Sequence, residues 1–145
     1  MSELTYCSAT QSDIPKIVGL CRELIDRYED KSTIDYDRVM AWVGEKVRSK
    51  ISEYTCVFQG REKVGYYHLA KDGRGWELDD LYILPAFRNQ GIGSQVLQHC
   101  LSLVDEAVYL FVFTGNTGAI HLYERFGFSQ TQRVGDTRMI MRRDG

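Results

Sequence analysis

The 145-residue sequence has four cysteines but no C-x-x-C pair, and its three histidines stand at no ligand spacing from them or from each other. That excludes a zinc ribbon or a dithiol redox motif legible in the chain. Cys7, Cys21, Cys56 and Cys100 read instead as reduced, mostly buried small hydrophobes, and no metal is expected. No apolar stretch approaches the roughly 20 residues that cross a bilayer. The N-terminus "MSELTYCSATQSDIP" has no apolar signal-peptide core, so a cytoplasmic protein without a membrane partner is expected. Neither charge sign dominates: 18 basic and 20 acidic residues leave a net charge of -2, which offers no electrostatic case for nucleic acid. The segment "GIGSQV" lacks the third glycine of the dinucleotide fingerprint and the Gly-Lys-Ser/Thr of the P-loop, which argues against hydride transfer and nucleotide hydrolysis.

What is present is an ordinary globular composition, 43% hydrophobic and 26% charged, in a chain long enough for one domain spanning residues 1–145. "LTYCSAT" alternates like a strand over residues 4–10. Ser12 or Asp13 then caps a helix with Pro15 in its first turn and Ile14, Ile17, Val18, Cys21, Leu24, Ile25 and Tyr28 at helical spacing. After the polar break "EDKST", a second helix starts near Asp35 and carries Val39, Trp42, Val43 and Val47 on one face. "EYTCVFQ", "KVGYYHLAK" and "WELDDLYILP" read as three strands joined by the turns "GRE" and "KDGRG". A helix follows with Ile92, Val96, Leu97, Cys100, Leu101 and Val104 inward. "AVYLFVF" is the continuous apolar run of a strand buried on both faces. "NTGAIHLYERFGF" is a short helix from Asn116 that Gly127 can close, and "FSQTQRV" and "TRMIMRR" are two last strands. The order β-α-α-β-β-β-α-β-α-β-β describes a mixed α/β domain.

The stretch "RNQGIGSQVLQHCL" needs a reason for two glycines at the start of a helix, since each costs roughly 1 kcal/mol against alanine there. A tight turn is one reason. A nest of backbone amides at the positive end of a helix, suited to phosphate, is the other.

This order and two of its segments resemble the GNAT superfamily of N-acetyltransferases. "LDDLYILPAFRNQGIGSQVL" matches the family's Q/R-x-x-G-x-G/A signature through Arg88, Gly91 and Gly93. "NTGAIHLYERFGF" matches its Asn-x-x-Ala-x-x-x-Tyr-x-x-x-Gly-Phe pattern through Asn116, Ala119, Tyr123, Gly127 and Phe128. The resemblance covers nearly the whole chain, with residues 11–55 the least diagnostic. It implies an acyl-CoA N-acyltransferase fold, a central mixed and mostly antiparallel sheet flanked by helices, with acetyl-CoA as cosubstrate and an amine as acceptor. It further implies that the backbone amides of Asn89, Gln90, Gly91, Ile92, Gly93 and Ser94 hold the pyrophosphate. Gly91 and Gly93 would then be needed for the backbone conformation or for the approach of phosphate oxygens. Arg88 would add a charge-assisted contact or remain a solvated arginine. The main chain of Leu81, Tyr82 and Ile83 would hold the pantetheine arm, with the Leu81 amide at the thioester carbonyl.

Acetyl transfer to an amine needs a proton acceptor, because an alkyl ammonium is almost wholly protonated at neutral pH. "WELDDLY" supplies Glu77, Asp79 and Asp80. Glu77 stands eleven residues before Arg88, where some relatives carry their catalytic glutamate, so it is the preferred base, with Asp79 or Asp80 next. Strand alternation puts Glu77 and Asp79 on one face and Asp80 on the other unless a bulge intervenes. Tyr123 matches the tyrosine that serves the departing sulfur in many relatives; its plain reading is an aromatic packed at helical spacing. Asn116 caps its helix, contacts the pantetheine, or both, beside Ala119. Asp30, Asp35 and Asp37 suit either a cationic acceptor or a solvated loop. The acceptor itself stays open among protein N-termini, lysines, aminoglycosides, polyamines and amino acids. A non-catalytic acyl-CoA sensor on the same fold is the alternative function. The oligomeric state is open too, a homodimer included.

Overall fold

Residues 3–145 of the computed structural model form strands β1 (Leu4–Ser8), β2 (Tyr54–Gln59), β3 (Glu62–Asp72), β4 (Gly75–Ile83), β5 (Val108–Phe113), β6 (Ser129–Val134) and β7 (Arg138–Arg143). The helices are α1 (Ile14–Tyr28), α2 (Tyr36–Lys50), α3 (Ile92–Ser102) and α4 (Thr117–Arg125). The element order is the one read from the pattern, with short 3-10 turns added at several junctions. One sheet of order β1-β2-β3-β4-β5-β7-β6 carries all seven strands. Every pairing is antiparallel except β4 with β5. Among the described residues no helix is long and apolar enough to cross a membrane.

Alternation along the strands divides the core in two. Val57, Val64, Leu78, Leu110 and Met141 turn to the α3/α4 side, where Ile92, Val96, Leu97 and Tyr123 meet them. Tyr54, Cys56, Tyr66 and Tyr82 turn to the other side, against Ile17, Leu20 and Ile25 of α1 and Val43 and Val47 of α2. Trp42 departs from the expected apolar face of α2: it is 63% exposed. Val39, Val43 and Val47 recur every four residues and take the inward stripe, whereas Trp42 lies about 100° round the helix from Val43. The first helix is entered through a 3-10 turn, Gln11–Asp13, and the Thr10 amide donates to Asp13 at 2.9 Å. Buried Asp13 also accepts from Tyr66 Oη at 2.8 Å, so this carboxylate closes the 3-10 turn and ties it to β3, and it makes no side-chain cap bond to α1 itself.

β3 and β4 form the longest hairpin, and its register reaches Gly65↔Ile83. A Cβ at Gly65 would lie 2.2 Å from the Tyr82 carbonyl oxygen, a backbone atom that cannot move without shifting β4. Gly65→Ala should therefore cost about 3 kcal/mol, the upper range for overpacking. For a domain of this size that lowers the Tm by about 6–12 °C. Gly73→Ala, in open space, should leave the Tm nearly unchanged. Equal melting of the two variants would show that β4 yields at this point.

Candidate active site

The site grows from a fork in the middle of the sheet. β4 and β5 pair only at Trp76↔Val108 and Glu77↔Tyr109, while β5 stays paired with β7 from Val108 to Phe113. Beyond Glu77 the outer edge of β4 has no neighbouring strand. The Leu84 amide donates to Val64 O at 2.8 Å. By antiparallel alternation, Tyr82 and Asp80 then bond to β3, and the amides and carbonyls of Leu81 and Ile83 point into the fork. Ile83 O already accepts from Arg88 Nε at 2.9 Å. Tyr82 is a correction to the sequence reading: its main chain is paired with Tyr66 and its ring is buried on the α1/α2 side, so it does not face the fork.

The fork opens toward the turn before α3. Asn89 has φ +63 and Gly91 φ +79, so Gly91, at the N-cap of α3, is where the backbone itself favours glycine. Gly93 is different. Its φ is ordinary, and an added Cβ would meet Leu122 Cδ2 at 3.6 Å and Ile83 Cγ1 at 3.9 Å, normal contacts. Neither its backbone nor crowding requires glycine at this position. The amides of Ile92, Gly93 and Ser94 precede the first intrahelical bond, Gln95 N to Gly91 O at 3.2 Å, and stand free as an anion site requires. Arg125, which neither motif specifies, donates to Ser94 Oγ at 3.3 Å and brings a guanidinium from α4 to this helix end. Arg88 is partly exposed but not free. Its Nη1 meets Glu23 of α1 at 2.7 Å, which ties the end of β4 to the first helix.

Register decides the three carboxylates. His68 pairs with Asp80 but Leu69 with Leu78, so Asp79 is the extra residue of a β-bulge. The bulge overturns simple alternation: Asp79 and Asp80 both reach Lys46 Nζ of α2, at 2.8 and 3.5 Å. Asp80 also accepts from Tyr54 and from Tyr82 Oη, the latter at 2.8 Å. Asp79 accepts from His68 Nδ1 at 3.0 Å, and His68 Nε2 meets Glu53 at 2.8 Å. His68, Asp79 and Asp80 place ligand-type atoms within 4.8 Å of one another, with the Lys46 ammonium supplying positive charge among them. Burial alone would raise the Asp79 pKa, but the hydrogen bond from His68 and the charge of Lys46 outweigh it and hold it at about 2. Glu77 moves the other way. Burial and the Asp79 charge raise its pKa, with a hydrogen bond from Tyr109 pulling back. Of these two, Glu77 is much the better proton acceptor near neutrality.

Tyr123 lies buried on the α3/α4 side with its ring 5.7 Å from that of Phe128. Burial, then the charges of Asp80 and Cys100, push its pKa up, so the phenol stays protonated. Asn116 is a helix cap: its Oδ1 accepts from the Ala119 amide at 3.3 Å. Asp30 and Asp35 likewise accept from Ser32 N and Arg38 N, which accounts for both by capping. Glu53, Lys46 and His68 carried no spacing signal, because the hairpin register and the docking of α2 bring them together.

The Acetyltransferase (GNAT) family model matches residues 17–128. N-alpha-acetyltransferase RimI of Mycobacterium tuberculosis is 32% identical over 105 residues, 69% of this chain and 65% of that protein. Spermine/spermidine N(1)-acetyltransferase of Bacillus subtilis is 40% identical over 63 residues, 40% of this chain and 41% of that protein. The alignments thus span less than two thirds of either relative. Peptidyl-lysine N-acetyltransferase YjaB of Salmonella typhimurium is 27% identical over 118 residues, 81% of this chain and 78% of that protein. PaiA N-acetyltransferase from Thermoplasma acidophilum, solved in complex with coenzyme A, superposes with a TM-score of 0.75 at 17% identity over 99% of both chains. That likeness is one of fold.

The His68 bridge makes stability depend on pH. Burial lowers its pKa, but the hydrogen bonds to Asp79 and Glu53 win and hold it above the ordinary value. Folded His68 therefore binds its proton more tightly than the unfolded chain does. Its contribution is complete below the unfolded value near 6.5 and fades as pH rises through the folded one. Removing one partner of a buried charged pair costs about 3–5 kcal/mol. His68→Gln should thus trail the wild type by about 3 kcal/mol in urea unfolding at pH 6, with the gap narrowing toward pH 9. A gap that ignores pH would mean that His68 is neutral in the folded protein.

Proposed function

Because the chain belongs to the acetyltransferase (GNAT) family, we propose that it transfers an acetyl group from acetyl-CoA to a primary amine by direct attack, with Glu77 as general base. The observation that carries this reading is the fork. A strand edge at Leu81 and Ile83 with no neighbouring strand, its Ile83 carbonyl taken by Arg88, runs from Glu77 at the vertex to the free amides of the first turn of α3. An extended pantetheine arm fits such an edge as an added strand, and a pyrophosphate fits the amides of residues 89–94, with Arg125 alongside. In this reading the Leu81 amide polarises the thioester carbonyl. Arg88 in this reading braces the turn through Glu23 and Ile83.

The acceptor is taken to be cationic. Neutralising an alkyl ammonium of pKa about 10.4 costs about 4.6 kcal/mol at pH 7, and a positioned carboxylate that takes the proton during the reaction speeds it by about 10²–10⁴. Asp79, held at about 2, contributes negative charge rather than basicity. Tyr123, on the opposite side of the sheet and held protonated, serves the departing sulfur as acid or hydrogen-bond donor. The names of the relatives include a polyamine, a protein N-terminus and a lysine side chain as acceptors. All three are amines that arrive charged, so any of them needs the same base.

Two measurements test this reading. Calorimetry should find acetyl-CoA bound to the wild type and stabilising it by about 2.7 kcal/mol at a hundredfold excess over Kd. Gly91→Val, strained at φ +79 and bulky at the turn, should fold and lose that binding. A folded wild type that ignores coenzyme A would end the proposal.

Thiol release across a panel of amines supplies the second measurement. Glu77→Gln should slow turnover by about 10²–10⁴ at neutral pH, with the deficit shrinking as pH nears the pKa of the amine. Tyr123→Phe should lower kcat and kcat/KM together by about tenfold to a thousandfold, with coenzyme A affinity kept. Tight cofactor binding with no turnover of any amine would instead favour an acyl-CoA sensor.

A further inference from the structure

A base that takes a proton from every acceptor molecule must lose it before the next turnover. One side of Glu77 leads to a neighbouring hydroxyl. Tyr109, its partner across the last β4–β5 rung, is 5% exposed, and its hydroxyl lies 3.3 Å from Glu77 Oε1. The same hydroxyl donates to Asp72 at the end of β3, an exposed carboxylate. No spacing rule links these residues. β3 and β4 bring Asp72 opposite Gly75, and the parallel rung sets Tyr109 between Asp72 and Glu77.

We propose that Tyr109 and Asp72 form the proton exit of the site, resting on the assignment of Glu77 as base. The ammonium gives one proton to the Glu77 carboxylate, making a carboxylic acid and a neutral amine. Glu77 passes that proton to Tyr109 Oη as the Tyr109 O–H passes its own to Asp72, and Asp72 releases it to water. Tyr109 ends as it began, a neutral phenol, and Glu77 is again a carboxylate. Concerted transfer avoids a phenolate, whose formation is opposed by burial and by Asp72. The charged groups around Glu77 are Asp79 on its own strand, Asp72, and Lys46 from α2. Around Tyr109 they are Asp72, Glu77, Arg74 with its guanidinium carbon 5.8 Å from the ring centroid, and Arg142, opposite Tyr109 on β7.

The test compares full-length wild type, Tyr109→Phe and Asp72→Asn on acetyl-CoA and an amine turned over in the panel. Both variants should lose about tenfold in kcat, with coenzyme A Kd and amine KM kept. A tertiary-amine buffer, which carries protons but cannot be acetylated, should restore kcat as its concentration rises. The acidic limb of kcat/KM should move as well: Asp72→Asn removes a charge that raises the Glu77 pKa and should shift the limb down. Should Tyr109→Phe fold poorly, Asp72→Asn still decides, since Asp72 lies at the exposed end of β3. A slow Glu77→Gln beside a normal kcat in Asp72→Asn or in a folded Tyr109→Phe, or a loss that buffer leaves untouched, overturns the relay alone. Wild-type turnover in Glu77→Gln, or none in the wild type, overturns the base assignment and the relay with it.

Discussion

The parallel contact between β4 and β5 ends after two rungs, and the rest of the site depends on that early end. A sheet that kept pairing would have satisfied the amides and carbonyls of Leu81 and Ile83 internally, leaving nothing to offer a ligand. Because β5 is held along its other edge by β7 and β4 along its other edge by β3, the strands diverge without fraying. Each keeps one full ladder, and the opening between them becomes a line of oriented donors and acceptors. Free backbone groups in the centre of a sheet are expensive in a dry core, which is why the fork opens to a turn and not to packed side chains.

The bulge at Asp79 is the second constraint. It puts two consecutive aspartates on the side of α2, and the chain answers with Lys46, His68, Tyr54 and Tyr82. The result is a set of interleaved charges and hydroxyls around the bulge, and among the described residues no buried side-chain polar atom is left without a partner. Such a network is of doubtful value as net stabilisation, since desolvation offsets much of the attraction. Its clearer effect is on neighbouring proton affinities. Asp79, paired with His68 and Lys46, holds its charge down to about 2, and that fixed charge raises Glu77. Glu77 and Asp79, two positions apart, thereby differ in proton affinity, because Asp79 is an insertion in a ladder.

The glycine turn shows two kinds of requirement side by side. Gly91 answers to its own backbone, at positive φ, and would be favoured with no ligand present. Gly93 answers to neither φ nor crowding. What sets it apart is its place, where α3, Leu122 of α4 and Ile83 of β4 converge. Arg88 carries a similar lesson, since a residue that suits an anion is spent on Glu23 and a carbonyl.

Apolar periodicity and glycine placement were enough to determine the order of elements, the helix starts near Asp35 and at Asn116 and the closing Gly127. These depend on local geometry, at spacings of two, three or four residues that the chain itself displays. The two motifs around Gly91 and Tyr123 were legible for the same reason. Tertiary structure alone decided which way Asp80 faces, that Tyr82 turns from the fork, that Trp42 is outside, and that Glu53, His68, Asp79 and Lys46 meet. It also decided that Tyr109 stands between Glu77 and Asp72. Each of those outcomes depends on strand register or on the docking of one element against another. A shift of one residue in a ladder reverses a face, and no local pattern in this sequence specifies that shift.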